Sequence, residues 1–318
     1  MSSHVPDGVE EAEVRGSIVV GVDGSDHADR ALVWAAHQAA LEHRSLTLLH
    51  GFDPTGRTIV GALQLESDDR LELLHTLRRA ARITLDEGVD RVQEIEPDLE
   101  VHPLLLDTDP RQALTEASRT AHLVVLGSRG RGPLRGLLLG SVSLAVSQLS
   151  VCPTIVCRPR GEEPDTRGVL VGADGSPASR PVVDFAFRQA SLRGVPLSVM
   201  HCFWEVVAAT SSTDGPVSTS GPVEGPAEGP AEMRVLLAES VAGFSESYPE
   251  VEVHLELARG LVDRALVSAS PTADLVVVGR RHQNALARFL HASLSAAVLE
   301  RAAGTVAVVP EADPATAT

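Results

Sequence analysis

The chain is written twice. Residues 17–40, SIVVGVDGSDHADRALVWAAHQAA, and residues 168–191, GVLVGADGSPASRPVVDFAFRQAS, follow one plan: an apolar strand, a Gly-x-Asp-Gly-Ser turn and an amphipathic helix. Asp23 and Asp174 stand 151 residues apart (174 minus 23). AHLVVLGSRG (121–130) returns as ADLVVVGRRH (273–282), with Gly127 and Gly279 separated by 152 (279 minus 127). A spacing this long and this constant means two copies of one folding unit. The 318 residues accommodate two units of ordinary domain size, long enough for two separate cores to be possible.

Within a unit, strand and helix signals alternate. In the first half, strands are expected at 17–22, 45–51, 100–106, 122–126 and 154–158, and helices at 26–43, 67–94, 110–120 and 141–149. The strands are continuous apolar runs, as strands buried on both faces must be. The expected fold class is α/β: two tandem doubly wound, Rossmann-like domains, each an open five-stranded parallel sheet with helices on both faces. The polar stretch RGEEPDTR (160–167) marks the connection, giving domains at 15–160 and 168–311 and a linker at 161–167. The tails 1–14 and 312–318 lack apolar periodicity and are expected to be disordered, and the Gly-Pro-rich stretch 210–233 to be a loop.

Composition removes several function classes. A net charge of -16 opposes a general nucleic-acid surface. All 27 basic residues are arginine, so a Walker lysine and a Schiff-base lysine are both impossible. Cys152, Cys157 and Cys202 lack metal-ligand spacing and read as buried inert thiols in a reducing compartment. The N-terminal residues carry no signal-peptide pattern, and no apolar run reaches the roughly 18 residues of a membrane span, so a cytoplasmic location without membrane contact is expected.

The densest chemical signal is VVLGSRGRGPLRGLLLGSVS (124–143), which leaves a strand and enters a helix through a glycine-rich loop. Strand-end loops leading into helix N-termini hold anions, because free amides and the helix dipole point at them. Side chains at Gly127, Gly130 and Gly140 would obstruct a phosphate, while Ser141 and Ser143 offer hydroxyls or a helix cap. Asp23 ends the first strand, which in this fold neighbours the fourth, and can accept a hydrogen bond from an adenine amine or ribose hydroxyl. An Asx turn leading into the helix from Asp26 is the alternative role for Asp23.

The spacing Gly127-x2-Gly130-x9-Gly140-Ser141, with Gly-Val-Asp-Gly-Ser at 21–25, resembles the universal stress protein family, and the resemblance covers both halves. It implies ATP as cofactor, with or without magnesium, and a regulatory or stress-response role. It also implies a site at Gly21, Val22, Asp23 and Gly51 for the base and ribose. Gly127, Ser128, Arg129, Gly130, Arg131, Gly140, Ser141 and Val142 are the implied partners of the ribose and phosphates. A homodimer paired through the last strands, 154–158 and 305–309, is implied as well. In the second half Gly172, Asp174, Gly279, Arg280 and Ser293 keep part of the pattern, but His282 and Ala292 replace two glycines. That site is expected to be weakened or empty, unless Arg280 and Arg281 compensate.

His50, His102, His201 and His254 recur at equivalent strand positions without helical i,i+4 spacing, which favours strand-end hydrogen bonding over a metal site. No nucleophile elbow or paired catalytic carboxylates appear. Three roles remain open: an ATP-binding regulatory protein, a slow ATP-hydrolysing enzyme, and a dimerising scaffold with a vestigial nucleotide site.

Overall fold

The computed structural model describes residues 9–53, 67–130, 139–159, 168–203, 228–280 and 294–312. The first half runs α1 (Val9–Val14), β1 (Ile18–Gly21), α2 (Asp26–Leu41), β2 (Leu46–Gly51), α3 (Ser67–Ile95), β3 (Val101–Leu106), α4 (Pro110–Ala117), β4 (Leu123–Gly127), α5 (Ser141–Leu149) and β5 (Thr154–Cys157). The second half repeats the order with β6 (Val169–Gly172), α6 (Arg180–Arg193), β7 (Leu197–Phe203), α7 (Glu228–Ser247), β8 (Val253–Arg259), α8 (Val262–Ala269), β9 (Leu275–Arg280), α9 (Leu294–Arg301) and β10 (Thr305–Pro310). The expected linker 161–167 lies outside the described residues.

Local chemistry sets the helix starts. Ser25 is the N-cap of α2, its hydroxyl accepting from the Ala28 amide at 3.2 Å, and Asp26 and Asp29 face the positive end of the dipole. Asp109 caps α4 through the Arg111 amide at 2.8 Å, with Pro110 in the first turn. Two expectations need correction. The tail expected over 1–14 ends in a helix from Val9, held because Val14 is buried and the Glu13 carbonyl accepts from the Thr47 hydroxyl at 2.8 Å. The loop expected over 210–233 gives way to α7 at Glu228, since Pro230 falls in the first turn, where a missing amide costs nothing.

The strands form one ten-stranded sheet in the order β3-β2-β1-β4-β5-β10-β9-β6-β7-β8. Pairing within each half is parallel, and the halves meet where β5 and β10 pair antiparallel. Val156 lies opposite Val306, Ile155 opposite Ala307 and Thr154 opposite Val308. Ile155 and Ala307 are themselves 152 residues apart (307 minus 155), so equivalent positions face each other on a pseudo-twofold axis. The last strands therefore do act as an interface, but inside one chain. The homodimer expected through those strands is thus corrected: β4 and β10 occupy both edges of β5, and β5 and β9 both edges of β10.

The length makes two separate cores possible; the first half keeps one cluster of its own around Val19, Leu49, Leu114 and Val124, and the other two clusters are shared. On the α2 and α6 face a single apolar cluster runs from Ile18 and Leu46 through Ile155 and Ala307 to Val171 and Leu197. On the opposite face Val156 and Leu139 of the first half belong to the cluster around Leu266, Val298 and Leu299 of the second. Burial raises the thiols of Cys152 to about 11 and Cys157 to about 12, in keeping with inert cysteines.

Polar groups tie the seam on both faces. Arg280 donates to the carbonyls of Gln148, at 2.8 Å, and Ser150 at the end of α5, while Arg158 donates to the Leu299 carbonyl in α9. Each arginine thus meets the negative end of a helix in the other half. On the α2 and α6 face, Glu42 is buried and accepts from Gln38 and, at 2.7 Å, from His122. Burial by itself would raise the Glu42 carboxyl. Hydrogen bonds from His122 and Gln38, with the charges of His122 and Arg188, outweigh it and hold the group at about 2, below the ordinary 4.5. A depressed carboxyl contributes stability that is complete above the unfolded value and is lost as pH falls toward the folded one. The expected outcome is a loss of stability between about pH 4.5 and about pH 2, measured by circular dichroism during acid and thermal unfolding. Glu42→Gln should flatten that part of the profile.

Candidate functional site

Strand order reverses between β1 and β4, so the crevice of the first half lies beyond their carboxyl ends. The corresponding crevice of the second half lies beyond β6 and β9, and the antiparallel seam turns the two toward opposite ends of the sheet. The sequence thus places Asp23, the loop from Gly127 to Gly130 and the start of α5 around one opening.

Asp23 takes the turn-forming role open to it, with its second carboxylate oxygen turned toward the glycine loop. Its Oδ1 accepts from the Ser25 amide at 3.0 Å, closing an Asx turn in which Gly24 has a φ of 72°. Its Oδ2 lies against the Gly130 backbone, where any Cβ would collide with it. Gly130 thus makes room for a carboxylate of the protein. Gly127 has a different task from the clearance expected of it, because a Cβ there would strike the His27 carbonyl and the Ala28 nitrogen, so this glycine lets α2 dock against β4. Gly51 similarly admits the start of α4, with an added Cβ 2.6 Å from the Pro110 Cα, and Gly21 admits Leu126 at 2.7 Å and Leu114. Val22 is buried, and its amide is committed to the Leu49 carbonyl at 3.0 Å.

Ser128 organises the loop. Its amide donates to Cys157 at 2.9 Å, its carbonyl accepts from the Gly140 amide at 2.7 Å, and its hydroxyl meets His27 Nδ1 at 3.1 Å. Ser143 was expected to offer its hydroxyl to a ligand. It spends that hydroxyl on the Gly127 carbonyl at 2.7 Å, so it braces the strand end against α5. Gly140 is the N-cap of α5 and supplies no side-chain cap, which puts Ser141 and Val142 in the first turn. Ser141 is exposed there, and so is Arg129 across the loop. Arg131 lies outside the described residues.

His27 was not foreseen. It sits in the first turn of α2, with Nδ1 also 2.8 Å from Arg30 Nη2. Burial, then the charges of Arg30 and Arg129, lower its pKa, which keeps the imidazole neutral near pH 7. The equivalent residue of the second half is Ala178, so the repeat carried no signal for it.

The second crevice shares the frame and little of the chemistry. Asp174 accepts from the Ser176 amide at 2.9 Å in the same turn, with Gly175 at a φ of 74°. Gly172 admits Leu266, an internal packing contact. A Cβ on Gly279 would meet the Glu311 carboxylate, so an acidic side chain lies where the first half has the His27 backbone. Arg280, expected to compensate for the missing glycines, reaches the end of α5 in the first half instead. Ser293 and Arg281 lie outside the described residues.

Among the described residues no three His, Cys, Asp or Glu side chains gather as a metal set, and no helix is long and apolar enough to cross a membrane. His201 Nδ1 lies 2.9 Å from the Ala173 carbonyl, a strand-end hydrogen bond of the expected kind.

The profile of the universal stress protein family matches residues 15–158 and 166–310. A universal stress protein of Mycolicibacterium smegmatis is 33% identical over 306 residues, covering 92% of this chain and 96% of the relative. One from Mycobacterium tuberculosis is 33% identical over 295 residues, covering 90% and 94%. The crystal structure of a universal stress protein from Archaeoglobus fulgidus superposes with a TM-score of 0.67 at 19% identity, covering 92% of this chain and 98% of that one, a likeness of fold. With the family profile matched twice and the relatives aligned over at least 90% of the chain, the chain belongs to the universal stress protein family as a tandem two-domain member.

Proposed function

We propose that the chain is an ATP-binding regulatory protein of the cytoplasm that holds one nucleotide, in the crevice of its first half. The observation that carries this reading is the convergence of Asp23 Oδ2, the Gly130 backbone and the start of α5 at the switch point between β1 and β4. Asp23 accepts from the adenine amine or a ribose hydroxyl. The first-turn amides at Ser141 and Val142, with the dipole of α5 behind them, take the phosphates. Arg129 supplies the cation that a lysine provides in other phosphate loops, and any magnesium is carried by the phosphates themselves. The second half serves as a scaffold, because the Glu311 carboxylate at Gly279 opposes phosphate and Arg280 is spent on the seam.

Isothermal titration with ATP tests the site. Asp23→Ala should weaken binding roughly tenfold or more, the worth of a hydrogen bond to a charged group. Gly140→Trp should abolish binding, and Asp174→Ala should leave it unchanged. Wild-type affinity in Asp23→Ala and Gly140→Trp alike would overturn the assignment. Phosphate release near 1 per second or faster would make the protein an ATPase instead of a regulatory binder.

The glycines make a separate prediction. Gly127→Ala forces a Cβ into the His27 backbone, so the nucleotide-free protein should lose roughly 3–10 °C of Tm, the range for overpacking a close contact. An unchanged Tm with weakened ATP binding would show that Gly127 serves the ligand alone.

A further inference from the structure

At the seam the two copies face each other across the pseudo-twofold axis, and like positions do not carry like residues. Gln38 on α2 and Gln189 on α6 are equivalent, 151 residues apart, and meet directly, Gln38 Nε2 donating to Gln189 Oε1 at 3.1 Å. One turn further along each helix the equivalents are Glu42 and Arg193, also 151 apart (193 minus 42). Arg193 donates to both glutamine oxygens, reaching Gln38 Oε1 at 2.5 Å. Both glutamine nitrogens donate to Glu42, that of Gln189 at 3.5 Å. The four side chains close a circuit in which the two amides point the same way, oxygens to the cation and nitrogens to the anion.

Most of the circuit is shielded from water. Gln38 and Gln189 are 2% and 0% exposed, and the Glu42 side chain is 5% exposed. Arg193 is partly buried at the rim of the circuit, lies 5.5 Å from the Trp34 ring and feels the charges of Glu42 and Asp274. The second half also sends Arg188 to within 4.0 Å of Glu42. The first-half equivalent of Arg188 is His37, which is exposed and engaged with Glu96 at 2.9 Å.

We infer that Glu42 and Arg193 form a pairing code by which each half recognises the unlike half and rejects a copy of itself. Two first halves joined on the same axis would bring two Glu42 carboxylates together and lose both Arg193 and Arg188, each carboxylate keeping His122 and Arg44 of its own half. Two second halves would bring a pair of Arg193 guanidiniums together, keeping the charge of Asp274 but losing that of Glu42. Bringing like charges together out of water while removing a countercharge from each is destabilising, so only the unlike pair satisfies every member of the circuit. Pairing like halves of two copies is closed off by chemistry. Exchange of unlike halves between copies is disfavoured by the high effective concentration that one covalent chain gives its own two halves.

Thermal unfolding of four full-length proteins tests this: wild type, Glu42→Gln, Arg193→Glu, and both together. Arg193→Glu creates the like-charged circuit and should lower Tm by more than about 5 °C, the range for breaking a buried charge pair. Adding Glu42→Gln should restore at least half of that loss, although Glu42→Gln alone lowers Tm in the wild type. Losses that simply add in the double variant would overturn the code, because they would show that the two positions act without regard to each other. Should Arg193→Glu yield no folded protein, Arg193→Gln keeps the test. Glu42→Gln should then be neutral or stabilising in the Arg193→Gln background, and an undiminished cost there would overturn the inference.

Discussion

The antiparallel contact between β5 and β10 is the constraint on which the rest of the molecule depends. It removes two sheet edges at once, aligns equivalent residues across an axis through Ile155 and Ala307, and makes the α2 and α6 face a single apolar core. Because it reverses direction at the seam, the switch-point crevices open at opposite ends of the sheet and cannot share a ligand. Each half keeps its own frame, and two of the three apolar clusters run through both halves. This arrangement lets one copy specialise while the other lends structural support.

Specialisation shows where equivalent positions differ. Helix α5 presents its amino end to the first crevice, and its carboxyl end is held by Arg280 of the second half. Arg280 stands at the position equivalent to Ser128, which in the first half binds Cys157, Gly140 and His27 to shape the loop. One duplicated position thus organises the glycine loop in one half and clamps the seam in the other. The circuit of Gln38, Gln189, Glu42 and Arg193 follows the same logic, with two positions left symmetric and two diverged into opposite charge.

Much of the fold was legible in the sequence because strand and helix signals were local. The runs of β1 and β4 are apolar throughout since both faces are buried, and Ser25 and Asp109 announce helices through cap chemistry that needs no tertiary context. That Asp23 and the glycine loop meet at one crevice was legible because a long fixed spacing marked them and β1 and β4 are neighbours. The reasons for individual glycines were not: Gly127 answers to the His27 backbone 100 residues earlier, a contact that only the β1 and β4 adjacency creates. Glu42 and Arg193 looked like ordinary charges at helix ends, and nothing local distinguishes a solvated carboxylate from one buried against the other copy. The start of α7 was hidden by prolines whose meaning depends on whether they fall inside a helix or in its first turn.

The central claim is that the seam makes two copies one cooperative body. Native-state amide hydrogen exchange along Thr154–Cys157 and Thr305–Pro310 examines it most directly. The account predicts that β5 and β10 exchange only through global unfolding, with the same opening free energy as β1 and β6. Exchange of β5 and β10 at a distinctly lower free energy, with β1 and β6 still protected, would mean that the halves part while each stays folded, and would contradict it.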